Sequence, residues 1–124
     1  MIYHIVAGEE MKKLLKGRFD PIPFNEDMSK GNYQSKPFSD GFIKERSTVH
    51  GVTTDDYVSN LKEFLTFLLK VEDKDIIHLY FGDDPVCSAN SKLLIKYFQE
   101  RGNAIFFHLM DEYKGIELSV SEIK

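Results

Sequence analysis

The chain has 124 residues, 42% of them hydrophobic and 29% charged, with ten Phe, six Tyr and a formal charge of −4. A length of this order makes one domain, 1–124, which buries roughly two thirds of its unfolded surface without covalent staples. The acidic balance argues against duplex nucleic acid, which needs clustered Lys and Arg, and a single cysteine, Cys87, excludes an intrachain disulfide or a thiolate zinc site.

"MIYHIVAGEE" opens with a short β-rich run that turns acidic, which predicts a strand and not a signal peptide. "EEMKKLLK", acids before bases and closed by Gly17, follows as a helix. The two prolines of "FDPIPFNED" suit a short strand near a sheet edge. "MSKGNYQSKP" reads as loop, and Phe38 to Val49 as a helix that breaks at Gly51.

"TTDDYVSNLKEFLTFLLK" has the strongest helical period, with Thr53 as its cap and Leu61, Phe64, Leu65 and Leu68 on one stripe. Ile76 to Phe81 is a nearly unbroken apolar run, as a parallel strand covered on both faces requires. Asp84 then caps a helix that starts at Pro85 and ends at Gly102. Ala104 to Met110 is the next strand, and "GIELSV" can return as an antiparallel edge strand. No run reaches membrane-spanning length, so a soluble protein of the reducing cytoplasm is expected.

Alternating strands and helices predict an α/β, Rossmann-like three-layer domain with a mostly parallel sheet of about four strands. Placing the first strand beside Ile76 to Phe81 creates a switch point, where open α/β sheets bind ligands at the carboxyl ends of their strands.

Three segments carry a resemblance: "HIVAGEE"; "NEDMSKG", with Glu26, Met28 and Gly31 spaced as E-x-L-x-x-G; and "YFGDDPVCSAN", with Phe81, Asp84, Cys87 and Asn90 spaced as W-F-x-x-D-x-x-C-x-x-N. Together with Arg46 they resemble the uncharacterised bacterial family filed as domain of unknown function 1835. Asn32, Glu9 and Gly82-Asp83 depart from its pattern, where proline, aspartate and a Glu-His pair are usual. That family has no assigned activity, so the resemblance implies a place and no chemistry.

A crevice lined by Gly8, Glu26, Asp27, Arg46, Asp83, Asp84, Cys87 and Asn90 is expected to hold a small polar ligand, with a nucleotide-like one among the candidates. Extending the stripe of Leu93, Leu94, Tyr97 and Phe98 backward turns Asn90 toward the sheet, where its amide must fix a loop backbone or a ligand. Cys87 sits in the first helical turn, where the dipole lowers a thiol's pKa, although buried cysteines are more often inert. Glu26, Asp27, Asp83, Asp84 and Glu9 could hold Mg²⁺ if they converge. Without a cation the acids would repel a phosphate, and Arg46 with free helix N–H groups would have to outweigh them.

His4, His78 and His108 fall mid-strand and are expected as satisfied imidazoles beneath packed helices. Neither a dinucleotide fingerprint nor a P-loop is present. Two rivals to a binding domain are a small hydrolase or transferase, with Cys87, Asp83 or Asp27 as catalytic candidates, and a protein-interaction module presenting Tyr33 and Phe38. No feature fixes an oligomeric state.

Overall fold

The computed structural model describes residues 1–124. Strands β1 (Ile2–Val6), β2 (Pro21–Pro23), β3 (Ile76–Phe81), β4 (Ala104–Asp111) and β5 (Ile116–Ile123) are interleaved with five helices. These are α1 (Glu9–Leu15), α2 (Asp40–His50), α3 (Thr54–Asn60), α4 (Lys62–Leu68) and α5 (Pro85–Arg101). The strands make one sheet in the order β2-β1-β3-β4-β5, parallel except for β5, which runs antiparallel beside β4. The four parallel strands are those expected, and the antiparallel edge strand foreseen at "GIELSV" is the fifth, running on to Ile123.

The helix ends follow from local chemistry. Thr53 accepts the Asp56 amide at 3.1 Å, and Asp84 accepts that of Cys87 at 2.9 Å with Pro85 following. Gly51 and Gly102 close α2 and α5 in the left-handed conformation, at φ 66° and 89°. The long helix expected after Thr53 divides at Leu61 into α3 and α4. At the division Asn25 Nδ2 donates to the Asn60 carbonyl at 3.1 Å, so an outside side chain draws on the helical ladder.

Apolar residues segregate the two sheet faces unequally. On one, Ile5, Ile77, Leu79, Phe81 and Ile105 pack with Phe42, Tyr57, Phe64, Phe67, Leu94 and Phe98 from α2 to α5. On the other, only α1 packs, through Met11 and Leu15 onto Val6, Tyr80 and Met110. The rest of that face is a slab of rings: His4 stacks on Phe19 at 4.2 Å, Tyr80 on His108 at 4.2 Å, and His78 on Phe106 at 4.9 Å. Register aligns His4 with His78. The imidazoles lie under neighbouring rings and not under helices, because the seven-residue α1 is about 10 Å long and reaches only the carboxyl half of the sheet. No helix is long and apolar enough to cross a membrane.

Candidate functional site

From β1 the chain turns one way to β2 and later crosses back to β3, so the switch point falls at Ala7 and Gly8, just past the carboxyl end of β1. A cavity opens on each side. The first, about 360 Å³, is lined by Gly8, Glu9, Met11, Asp84, Cys87 and Glu112 among others; the second, about 460 Å³, by Asn25, Glu26, Asp27, His50, Tyr57 and Asn60 among others. Ala7 borders both. A Cβ on Gly8 would meet nothing closer than Asn25 Oδ1 at 3.8 Å, so packing alone does not demand a glycine there.

Behind the second cavity lies a buried carboxylate. Glu26 and Arg46 have side chains that are both 0% exposed and form a two-point pair, Nε to Oε2 and Nη2 to Oε1, each at 3.0 Å. Tyr57 Oη donates to Oε2 at 2.5 Å, the Asp27 amide to Oε1 at 2.7 Å, and His50 Nε2 lies 2.5 Å from Oε1. Burial alone would raise the Glu26 pKa, but the bonds from Arg46, Tyr57, His50 and the Asp27 amide outweigh it and hold the carboxyl at about 2. Tyr57 is driven up by its burial and by the adjacent carboxylate, so its hydroxyl keeps its proton.

Arg46 also donates to the Lys30 and Asp27 carbonyls, both at 2.8 Å. Asn90 grips the same segment from α5: Oδ1 accepts the Met28 amide at 2.8 Å and Nδ2 donates to the Glu26 carbonyl at 2.7 Å. Glu26, Arg46 and Asn90 therefore do meet, and what they hold is the loop from Glu26 to Lys30. The Arg46 guanidinium points inward at this loop and offers no face to a phosphate.

In the first cavity, Asp84, Cys87 and Glu112 bring one potential ligand atom each within 4.8 Å of one another. Cys87 Sγ donates to Glu112 Oε1 at 2.6 Å. The helix dipole is expected to lower this thiol's pKa, yet it is raised, because burial and the neighbouring Glu112 outweigh the dipole. Burial and the Asp84 carboxylate likewise raise Glu112, while hydrogen bonds from Glu112 and the Cys87 amide lower Asp84. A set that includes a buried thiol donating to Glu112 is not the all-oxygen anionic set that magnesium takes.

Other expected groups stand apart. Asp83 is exposed at the β3–α5 turn and lines neither cavity. Asp27 borders the second cavity, with one oxygen engaged by the Ser29 amide at 3.0 Å. No three of Glu9, Glu26, Asp27, Asp83 and Asp84 converge closely enough to share an ion. Tyr33 and Phe38 do not form a contact patch: both pack edge-on against Phe42 at 5.2 Å, beside the core.

Sequence reasoning missed Glu112, His50, Tyr57, Asn25 and Asn60. His50 and Tyr57 carried a usable signal, since His50 lies one helical turn beyond Arg46 and Tyr57 one turn into a capped helix. Glu112 carried none, because its approach to Cys87 depends on the turn after β4.

A wider cleft of about 830 Å³ lies at the opposite end of β1, bordered by Tyr3, His4, Phe19, Lys62, Glu63 and Lys70 among others. It runs beside the short edge strand β2 and gathers no group with a hydrogen-bonded buried charge. Comparison of the chain with family models, with curated proteins and with solved structures gave no match.

Proposed function

We propose that this protein is a cytoplasmic binding domain for a small polar ligand, seated in the crevice at the carboxyl ends of β1 and β3. The observation that carries the reading is the pair of cavities meeting at Ala7 on a topological switch point, the place where open α/β sheets of the Rossmann-like kind take ligands. The resemblance to the family filed as domain of unknown function 1835 belongs to the same proposal, since its three segments, around Gly8, Glu26 and Cys87, border this crevice. Acids line the first cavity and Arg46 is enclosed, which favours the sugar or base of a nucleotide-like ligand over its phosphates.

Gly8→Ala tests the reading. Its Cβ has room in the free protein, so the variant should match the parent in thermal unfolding while losing the stabilisation that a bound metabolite confers. A metabolite panel, with and without Mg²⁺, that raises the melting temperature of neither protein removes the proposal. So does a ligand that stabilises both equally.

One observation favours an enzymatic version, as a small hydrolase or transferase. Asp84 and Glu112 titrate in opposite directions inside one cavity, the arrangement that separates a proton donor from an ionised partner. Glu112→Gln should then leave ligand binding intact and abolish turnover; unchanged turnover would dismiss this version.

A further inference from the structure

The Glu26 network has one member that is not closed in. Arg46, Tyr57 and the Asp27 amide spend their donors on the carboxylate from inside the protein, whereas the His50 side chain is 22% exposed and borders the second cavity. Its Nε2 lies 2.5 Å from Glu26 Oε1 and 3.3 Å from Arg46 Nη2. These contacts decide which ring nitrogen carries hydrogen. An unprotonated Nε2 at 2.5 Å would set its lone pair against a carboxylate oxygen, and the longer Arg46 contact is too weak to compensate. The hydrogen therefore sits on Nε2 and is donated to Glu26, as when a buried carboxylate orients a histidine in an acid–base pair. In the neutral ring this leaves Nδ1 as a bare lone pair. Nδ1 has no protein partner, and it is not among the buried side-chain atoms that lack one.

The neighbours of His50 share its polarity. Asn25 commits Nδ2 to Glu9 Oε1 at 3.0 Å and to the Asn60 carbonyl at 3.1 Å, which turns Oδ1 toward Gly8. Asp27 contributes a carboxylate at the rim, and the charge of Glu26 is balanced by Arg46. The chamber thus presents three acceptors (an imidazole nitrogen, an amide oxygen and a carboxylate oxygen), and no lysine or arginine lines it.

We propose that His50 Nδ1, fixed as an acceptor by Glu26, is the recognition contact of the second cavity, and that the group entering there carries O–H or N–H donors, as a sugar hydroxyl or an amine does. The inference rests on the crevice reading above and assigns it a chemical class. An anionic phosphate or carboxylate would meet three acceptors and no lysine or arginine, since Arg46 is enclosed.

The test uses protein labelled with ¹⁵N in its histidines and backbone, at a pH where the His50 ring is neutral. In the free protein, Nδ1 of His50 should report a lone pair and Nε2 a bound hydrogen. Tris, which carries hydroxyls and an amine, should shift His50 Nδ1 and the Asn25 and Asn60 amides saturably; inorganic phosphate should not. His50→Phe, which keeps a ring and removes the acceptor, should cut the Tris response of those amides at least tenfold.

Hydrogen found on Nδ1 in the free protein would overturn the inference, and this measurement does not depend on the variant folding. Saturation by phosphate, no saturable response to Tris, or a full response in His50→Phe would overturn it as well. A panel metabolite that needs Gly8 but leaves Asn25 and Asn60 unmoved would defeat this inference alone. A panel with no binder defeats the crevice reading, while the tautomer still reports on His50.

Discussion

Glu26 shows how one carboxylate can be both fully enclosed and ionised. Its folded pKa, about 2, lies below the ordinary value of 4.5, so its contribution to stability is complete above about pH 4.5 and is lost as the pH falls toward 2. Glu26→Gln should therefore unfold more easily at neutral pH and show a flatter stability profile across that acid window in urea titrations. Arg46→Leu strands the same charge without its partner, and a loss of about 3–5 kcal/mol is expected, most of it recovered when Glu26 is also made apolar. A double-mutant cycle by urea unfolding separates the two contributions.

Cys87 obeys the same logic with the opposite sign. A Cβ on Gly82 would come within 2.4 Å of Glu112 Oε1, a flexible side chain that can swing away. Gly82→Ala should therefore release the thiol from its carboxyl partner, at little cost in stability, and speed iodoacetamide labelling of Cys87 at neutral pH. Unchanged labelling would mean that burial alone silences the thiol.

At the scale of elements, α5 does more than cover the sheet. Through Asn90 it fixes the loop that carries Glu26 and thereby the wall of the second cavity. Asn90→Leu leaves the Met28 amide and the Glu26 carbonyl without partners, at about 1–3 kcal/mol, and should speed hydrogen exchange at Met28 before the core strands are affected. This tie was legible in the sequence because α5 announces itself at both ends, by Asp84-Pro85 and by Gly102, and its apolar stripe runs back to Asn90. The division of α3 from α4 was not legible, since the side chain that meets the Asn60 carbonyl there comes from residue 25 and leaves no local trace near Leu61. The role of Arg46 was half legible: period 3.6 places it on the inner face of α2, but only the fold shows that it meets Glu26 and not a ligand. Local codes set the element ends, whereas partners distant in sequence set the use of each polar side chain.

For the molecule as a whole, the unequal sheet faces determine where it loosens first. β5 pairs with β4 on one edge only, and seven of its eight residues are exposed. What ties its side chains to the sheet on the ring face is a chain of contacts: His78 Nδ1 lies 2.7 Å from His108 Nε2, and His108 Nδ1 contacts Glu117 of β5. His4 and Tyr80 complete the surroundings, joined at 2.8 Å. A hydrogen bond between two imidazole nitrogens needs one hydrogen between them, so charging both rings sets two N–H groups face to face.

Burial and the charge of His108 lower His78, and burial and His108 lower His4 as well. A histidine whose folded pKa is depressed stabilises the fold in its neutral form, and that stabilisation is lost as pH falls below about 6.5, through the folded value. The ring face should therefore give way at a milder acidity than the Glu26 network, which holds until about pH 4.5. Hydrogen exchange corrected for intrinsic rates should show β5 amides losing protection between pH 6.5 and 5 while those of β1 and β3 keep theirs. His78→Phe preserves the stacking on Phe106 and removes the titrating ring, so it should blunt the acid response of β5. If β5 and the central strands lose protection together, in the parent and the variant alike, the imidazole chain does not govern this edge.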